Sequence, residues 1–306
     1  MVESKHQWKA WLYLAPALVL LLIFTVWPII NTVSIAFLEG YDAMSAVGGA
    51  SFNVGFGNFT SIITEYDDFK WCMLNTVLLC VLTVPLSTII ALLIAVCLNS
   101  IKPLNKTLQT IYFLPYVTNS IAIGMVFFQL FNIINYNDPE RRIHGIINQL
   151  FNLEVNWINE RSSYIANLST MVIYIVWNAL PFKILILLGG LQSVNKQYYD
   201  AAKVDGTSRS RTLWRITVPL LSPMIAYVVI TGFIGGFKEY SSVVGIFGDT
   251  MKAPATPHTM NTMVGLIYNL INGQQGKAAA GALMLFAIIF AVTLVNLRVS
   301  KKRVHY

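Results

Sequence analysis

The stretch DAAKVDGTSRSR, from Asp200 to Arg211, is a short polar segment between two strongly apolar parts of the chain. It contains five charged side chains and one glycine, Gly206. In the whole 306-residue chain, 56% of the residues are hydrophobic and only 11% are charged. About a quarter of the residues of an ordinary soluble domain are charged. The composition therefore indicates a membrane protein, with a polar segment lying at one of its surfaces.

Six apolar segments are each long enough to cross a bilayer, which needs roughly 20 residues. They span residues 11–37, 71–98, 107–131, 165–191, 216–248 and 278–297. Each must be helical, because a segment inside lipid has to satisfy its own backbone hydrogen bonds. The first is too long for a cleavable signal peptide, and no small-residue cleavage site follows it. We predict an all-α membrane protein of six transmembrane helices, with residues 1–306 forming a single transmembrane domain.

The distribution of charge predicts the side of the membrane on which each loop lies. The segments that flank alternate spans are basic and contain Lys5, Lys9, Lys102, Lys106, Lys196, Lys203, Arg209, Arg211, Arg215, Arg298, Lys301, Lys302 and Arg303. The other segments, 38–70, 132–164 and 249–277, carry ten acidic residues against six basic ones. By the positive-inside rule, both termini and the loop 192–215 are cytoplasmic. The net charge of +7 thus follows the topology and predicts no nucleic-acid partner.

The loop 192–215 has the local signals of two short helices. Residues 196–204 favour a helix along the cytoplasmic surface, and Gly206 can end it in the left-handed conformation. Ser208 can cap a second helix, whose arginines would lie near lipid phosphate groups. From the residues alone, an ordinary basic interfacial loop remains an equal alternative.

The same loop resembles the EAA motif of permease subunits in binding-protein-dependent ABC importers, written E-A-A-x-x-x-G and followed by I-x-L-P. The matching positions are Asp200, Ala201, Ala202, Gly206, Ile216, Val218 and Pro219. Aspartate replaces the leading glutamate and valine replaces the leucine, and both changes keep the chemical type. Other stretches, such as FLPYVTNSIAIGMVFFQLFN and GKAAAGALMLFAII, resemble spans of the carbohydrate branch typified by the larger maltose permease subunit.

The resemblance implies a type I ABC importer permease fold in a bacterial-type cytoplasmic membrane, and three protein partners. These are a second homologous permease, a cytoplasmic ABC ATPase dimer and an external solute-binding protein. It also implies that the residues in contact with the ATPase are Tyr199, Asp200, Ala201, Ala202, Asp205 and Gly206. The stretch GQQGKA lacks the spacing of a phosphate-binding loop, and the four histidines are scattered. We therefore expect no catalytic residue, metal or cofactor here, with ATP and Mg bound by the separate ATPase.

In maltose-type permeases the sugar lies near mid-membrane, between the spans that flank the coupling loop. Carried over by position, the pathway residues are Asn178, Ala179, Phe182, Gly232, Gly235, Gly236 and Glu239. Sugar hydroxyls would donate to Glu239, and a ring face could stack on Phe182. The glycines would leave room either for a bulky polar solute or for close helix packing, and close packing is the commoner use. Lys183 is expected to snorkel to the cytoplasmic surface, and the adjacent Lys238 and Glu239 to point about 100° apart on one helix.

These features predict the permease subunit of an ATP-driven importer for a sugar or oligosaccharide. An alternative solute is glycerol-3-phosphate or a polyol, although the spans contain no arginine for a phosphate group. A channel or secondary transporter that needs no ATPase is a more remote alternative, because neither inverted repeats nor ionisable relays are evident. A membrane scaffold would leave the coupling-type loop unexplained.

Overall fold

The apolar segments form helices in a computed structural model that describes residues 7–101, 105–134, 138, 142–158, 162–248 and 260–303. Up to residue 158, the described helices are α1 (Gln7–Leu21), α2 (Trp27–Ala36), α3 (Ala43–Val47), α4 (Gly57–Glu65), α5 (Asp68–Ser100), α6 (Asn105–Val117), α7 (Ser120–Phe131) and α8 (Ile146–Phe151). Those that follow are α9 (Tyr164–Ser193), α10 (Lys196–Val204), α11 (Arg209–Thr212), α12 (Val218–Leu220), α13 (Ser222–Phe237), α14 (Ser241–Phe247), α15 (Met263–Ile271) and α16 (Gln275–Arg303). Lys5 and Lys102, which contributed to the predicted orientation, lie outside the described residues.

Four segments of the described chain are individually long and apolar enough to cross a membrane. They are Trp8–Ala36, Asp68–Ser100, Tyr164–Ser193 and Gln275–Lys301. They coincide with the first, second, fourth and sixth spans predicted from the sequence. The helices α5 and α9 continue through Pro85 and Pro181, so these prolines do not end them.

The third and fifth predicted spans are pairs of bent helices. Thr107–Val117 and Ser120–Phe131 meet at 97°, and Arg209–Leu220 and Ser222–Phe237 meet at 70°. At the first break, the Asn119 side chain accepts hydrogen bonds from the first backbone N–H groups of α7, which starts a new helix in a new direction. Counting each bent pair as one span gives six spans in the described chain, as the sequence predicts.

The described residues form two compact units. One consists of the described part of Met1–Asp67 with Leu266–Phe286, and the other of Asp68–Gly265 with the described part of Ala287–Tyr306. In the second unit, α5 and α9 pack along each other and α13 packs on α5. Small and branched residues fill this interface at helical spacing: Ala91, Ala95, Leu98, Ile184, Leu187, Leu188, Leu191, Leu221 and Val228.

Two glycines set the distance between α7 and α14 in the second unit. A Cβ on Gly124 would lie 2.6 Å from the Cα of Gly245, and a Cβ on Gly245 would lie 2.9 Å from the Cα of Gly124. Both contacts are with backbone, which cannot move aside as a flexible side chain can. The two helices therefore cross in direct backbone contact, which is the usual reason for small residues at membrane helix crossings.

In the first unit, the turn between α15 and α16 is fastened to the segment around α4. The Gly276 N–H donates to the Tyr41 carbonyl at 3.1 Å, and Lys277 Nζ lies 2.7 Å from Glu65 Oε2. The hydrogen bond from Lys277, followed by one from Ser61, holds the pKa of the Glu65 carboxyl below its ordinary value. The stretch GQQGKA is thus a structural turn, bound to its own unit by backbone and side-chain contacts.

Candidate functional site

A cavity of about 400 Å³ lies among α5, α9, α13 and the break between α6 and α7. It is lined by Thr83, Val84, Ser87, Tyr116, Thr118, Ser120, Ile175, Asn178, Ala179, Phe182, Lys183, Val228, Thr231, Gly232, Gly235, Gly236 and Glu239. All seven pathway residues predicted from the sequence belong to this lining. The structure therefore brings together side chains from two spans that are about 50 positions apart in the chain.

The α6–α7 break supplies a polar wall of the cavity. Tyr174 OH donates to the Ser120 carbonyl at 2.5 Å, and Asn178 Nδ2 donates to Ser120 Oγ at 3.2 Å. Tyr174 and Asn178 are both on α9, so their hydrogen bonds fix the start of α7 to that helix. The Asn178 carbonyl oxygen and the Ser120 hydroxyl lie where a polar solute could exchange hydrogen bonds with them.

Two aromatic rings form an apolar surface in the same cavity. The rings of Tyr116 and Phe182 are stacked, with centroids 5.9 Å apart and planes 18° apart. Stacking holds the Phe182 ring in one orientation, with Ala179 beside it on the same face of α9. Aromatic faces next to hydroxyl and amide groups suit the mixed surface of a saccharide.

The ammonium group of Lys183 is buried in the wall of the cavity. Lys183 is only 4% exposed, and its Nζ donates to Val84 O at 3.1 Å, Ser87 Oγ at 2.7 Å and Thr88 Oγ1 at 2.9 Å. The expectation that Lys183 snorkels to the cytoplasmic surface is therefore wrong. Three oxygens on α5 satisfy its three N–H groups inside the protein, so the side chain has no need to reach water.

The three pathway glycines have different surroundings. A Cβ on Gly236 would lie 2.9 Å from Cys80 Sγ, and one on Gly232 would lie 3.1 Å from Val84 Cγ1 and 3.3 Å from Lys183 Nζ. A Cβ on Gly235 would meet nothing within 4 Å. Gly232 and Gly236 thus allow α13 to approach α5, whereas Gly235 leaves cavity space open. Close helix packing therefore occurs at Gly232 and Gly236, whereas a role of Gly235 in accommodating solute stays a prediction.

Glu239 lines the cavity from the short non-helical segment between α13 and α14. Lys238 caps the end of α13, and α14 begins at Ser241, so the two charged residues do not lie on one continuous helix as expected. The Glu239 carboxylate accepts a hydrogen bond from the Ser242 N–H at 3.1 Å, and its backbone carbonyl accepts one from Thr262 Oγ1 at 2.8 Å. Lys238 is exposed. The break therefore separates the environments of the two charges.

The loop 192–215 forms the two short helices that the sequence predicts. The Asn195 side chain accepts a hydrogen bond from the Gln197 N–H at 3.0 Å and begins α10. At the other end, Gly206 has a φ of +64°, the Gly206 N–H donates to the Lys203 carbonyl, and the Thr207 N–H donates to the Ala202 carbonyl. This pair of bonds is a Schellman motif, in which glycine is the favoured residue. Ser208 then caps α11.

Most of the predicted coupling residues are at the surface. Asp200, Ala201, Asp205 and Gly206 are exposed, Tyr199 is half-buried and Ala202 is buried. Val204, at the end of α10, is 89% exposed although it is apolar. A second cavity of about 590 Å³ is lined by residues of α10 and of the π-helical turn Leu213–Thr217. Within this lining, Thr217 Oγ1 lies 3.4 Å from Tyr199 OH, which links α10 to the start of the fifth span.

A family model described as "Binding-protein-dependent transport system inner membrane component" matches residues 87–305. The match covers more than two thirds of the 306 residues. The chain belongs to this family. It is accordingly a multi-pass membrane protein of the permease class, as the sequence predicts.

Relatives of similar length carry names that state a solute. The arabinooligosaccharides transport system permease protein of Bacillus subtilis is 28% identical over 295 residues, which cover 95% of this chain and 88% of the relative. The sn-glycerol-3-phosphate transport system permease protein of Agrobacterium fabrum is 27% identical and covers 97% and 96%. The lactose transport system permease protein of Rhizobium radiobacter is 26% identical and covers 94% and 91%.

Solved structures share the fold. A chain from the crystal structure of a bacterial ABC transporter involved in the import of the acidic polysaccharide alginate matches with a TM-score of 0.77 and 20% identity. The match covers 97% of this chain and 96% of that chain. The same transporter type in complex with an alginate pentasaccharide-bound periplasmic protein gives a TM-score of 0.75. The predicted fold class, an all-α type I permease, is confirmed.

Sequence reasoning missed one whole side of the cavity. Thr83 and Ser87 on α5, and Tyr116, Thr118 and Ser120 around the α6–α7 break, were not predicted to line it. A signal was present, because Thr83 and Ser87 are polar residues four positions apart on one face of an apolar span. The run TNS, which closely follows Tyr116, likewise interrupts an apolar segment with residues that favour helix caps.

Proposed function

We propose that this chain is a transmembrane permease subunit of an ATP-driven importer and forms half of the pathway for a sugar or oligosaccharide. An external binding protein would deliver the solute to the chain in a bacterial cytoplasmic membrane, with both termini on the cytoplasmic side. The family description supports dependence on a binding protein. The relatives named for arabino-oligosaccharide and lactose transport support a saccharide.

The cavity is the observation that carries the proposal. Its volume lies within the range of small-molecule sites, roughly 300–1,000 Å³. Hydroxyl and amide groups lie beside the stacked Tyr116 and Phe182 rings, and Gly235 leaves space open at the last turn of α13. A saccharide needs both surfaces, because it presents hydroxyl groups at its edges and apolar patches on its ring faces.

Transport would be driven by ATP and Mg bound to a separate ATPase dimer, and this dimer would bind the exposed face of α10. A movement of α10 would be transmitted to the cavity through one hydrogen-bonded contact and the helices that follow it. Tyr199 on α10 contacts Thr217, and the chain continues from Thr217 through α12 into α13, whose glycines line the cavity. The π-helical turn before α12 adds one residue to its helical turn, a feature that is frequent at functional sites.

A second homologous permease would complete the pathway. None of the most apolar window of Trp8–Ala36 is buried within this chain, although its mean hydropathy is 2.3. A helix that is apolar all round and left unburied by its own chain has lipid or another subunit as its neighbour.

Co-purification tests the proposal. The tagged chain is extracted from its native membrane in mild detergent, and the accompanying proteins are identified by mass spectrometry, for wild type and for Gly206→Val. Valine strongly disfavours a φ of +64°. We expect a second permease and an ATPase with the wild type, and loss of the ATPase alone from the variant.

Gly40→Val is the matched control. Gly40 has a φ of +68°, and a Cβ at this position, as at Gly206, would meet no atom within 4 Å, but Gly40 lies in the predicted external segment 38–70. The ATPase should remain bound to this variant. A wild-type chain that purifies alone, or equal loss of the ATPase from both variants, would reject the importer assignment and favour a channel or scaffold.

Glycerol-3-phosphate or a polyol is the second candidate solute. Relatives named for sn-glycerol-3-phosphate transport cover almost the whole chain, and the buried ammonium group of Lys183 compensates for the lack of arginine in the spans. Screening the co-purified binding protein against lactose, arabino-oligosaccharides and sn-glycerol-3-phosphate distinguishes the two candidates.

A further inference from the structure

We propose that the solute carries an anionic group, a carboxylate or a phosphate, on its sugar or polyol, and that Lys183 is the residue that selects it. This inference rests on the proposed function of the cavity as a solute pathway. It assigns a substrate class and a specificity-determining residue, which the fold and the family leave open.

The charge of Lys183 is solvated but not neutralised by its partners. Its three hydrogen-bond acceptors among the described residues are a backbone carbonyl and two hydroxyl groups, all of them uncharged. Neutral oxygens reduce the cost of burying an ammonium group, but they leave its positive potential in a medium of low dielectric constant. A cation buried in a membrane span without an anionic partner is a functional feature by default.

Gly232 keeps this charge next to the cavity. A Cβ at position 232 would lie 3.3 Å from Lys183 Nζ, so any larger residue on α13 would stand between the ammonium group and the lining. Lys183, Gly232 and Ser87 all belong to the lining. The positive potential is therefore felt by a solute inside the cavity, although the lysine itself is almost fully buried.

The cavity lining has a second charged side chain, Glu239, which lies at a different place in the cavity from Lys183. Gly232 precedes the end of α13 at Phe237 by five residues, roughly 7.5 Å at the helical rise of 1.5 Å per residue, and Glu239 lies beyond that end. A carboxylate accepts hydrogen bonds from hydroxyl groups and repels anions. A solute with an acidic group at one end and hydroxyls at the other satisfies both, with its anion beside Lys183 and its hydroxyls towards Glu239.

The competing explanation is that Lys183 only clamps α9 to α5. Ser87 separates the two explanations, because Ser87→Ala removes the shortest of the three clamp bonds and keeps the charge. Lys183→Met removes both the clamp and the charge at similar side-chain length, and Lys183→Arg keeps the charge. Glu239→Gln removes the opposing charge.

The test is equilibrium binding of labelled solutes to the complex of this chain with its co-purified subunits in nanodiscs. Two pairs each consist of an acidic solute and its neutral counterpart: cellobiouronate with cellobiose, and sn-glycerol-3-phosphate with glycerol. We expect at least one anionic member to bind about tenfold more tightly than its neutral partner. Lys183→Met should remove this preference, whereas Lys183→Arg, Ser87→Ala and Glu239→Gln should keep it. The pair that shows the preference identifies the anion as carboxylate or phosphate.

Several results would overturn the inference. They are tighter binding of the neutral members, binding of neither member, a preference that survives in Lys183→Met, and an equal loss of preference in Ser87→Ala. Inorganic phosphate that binds as tightly as sn-glycerol-3-phosphate would also overturn it, because the site would then hold a bare anion. The proposed importer function is judged separately by the Gly206 co-purification, which does not depend on Lys183.

Discussion

The loop 192–215 and the cavity of this permease are built in opposite ways. The loop depends on contacts between residues close in sequence: Asn195 begins α10, Gly206 ends it and Ser208 begins α11. The cavity depends on contacts between distant helices, such as the 99-residue separation between Lys183 and Val84. Local contacts of this kind contribute about 1 kcal/mol each, whereas a steric conflict inside a packed core costs more. The difference predicts where substitutions will be severe.

The largest effect is expected at the crossing of α7 and α14. Gly124→Ala would place a Cβ 2.6 Å from the backbone of Gly245 and force the helices apart, at a cost of about 3 kcal/mol or more. The thermal unfolding midpoint in detergent should fall by several degrees. Gly189→Ala is the control, because Gly189 is on α9 and a Cβ there would meet no atom within 4 Å. Equal midpoints for the two variants would contradict the close crossing.

Two adjacent glycines on α13, Gly235 and Gly236, allow a crowded and an uncrowded position of the cavity wall to be compared. Gly236→Ala would place a Cβ 2.9 Å from Cys80 Sγ and should destabilise the protein by about 1–3 kcal/mol. Gly235→Ala should be neutral or stabilising by up to about 1 kcal/mol, because alanine favours a helix and the space is open. Unfolding midpoints measure both. Cys80→Ala should restore stability to Gly236→Ala, and a failure of this rescue would mean that the conflict lies elsewhere.

A smaller and local effect is expected in the loop. Asn195→Ala removes the side chain that accepts the Gln197 N–H, and loss of such a cap costs about 1 kcal/mol. Hydrogen exchange of the α10 amides should become about fivefold faster, while the amides of α9 keep their rates. Lys196→Ala, which leaves the cap intact, is the control. Faster exchange throughout the chain would show that the loop is coupled to the cavity more tightly than its contacts indicate.

The smallest effect concerns the pH dependence of the α4–α16 contact. The hydrogen bond from Lys277 lowers the pKa of the Glu65 carboxyl, so the contact stabilises the protein above the ordinary pKa of 4.5. The stabilisation is lost as the pH falls below 4.5 and through the lowered folded-state pKa. The unfolding midpoint of the wild type should exceed that of Glu65→Gln at pH 7 and equal it at strongly acidic pH. A difference that persists in acid would exclude ionisation of Glu65 as its cause.

The same division explains what could be predicted from the sequence. The ends of α10 and the start of α11 follow from Gly206 and Ser208, because capping chemistry is local. The long spans follow from hydropathy, and seven residues of the cavity follow from family resemblance. The clamp of Lys183 on α5 could not be foreseen, because its acceptors are about 95 or more residues away. The break at Glu239 coincides with the polar run KEYSS, residues 238–242, which the prediction from sequence includes in one continuous span.

The most direct test of the central claim is protection of Gly235→Cys by solute. In a Cys97→Ser background, the complex in nanodiscs is treated with a hydrophilic thiol reagent, with and without solute-loaded binding protein and ATP. Gly235 borders open cavity space, and Val204→Cys, at the exposed end of α10, serves as the control. The account predicts that solute slows modification at position 235 and leaves position 204 unchanged. Modification of Gly235→Cys at the same rate with and without solute would contradict a solute pathway through this cavity.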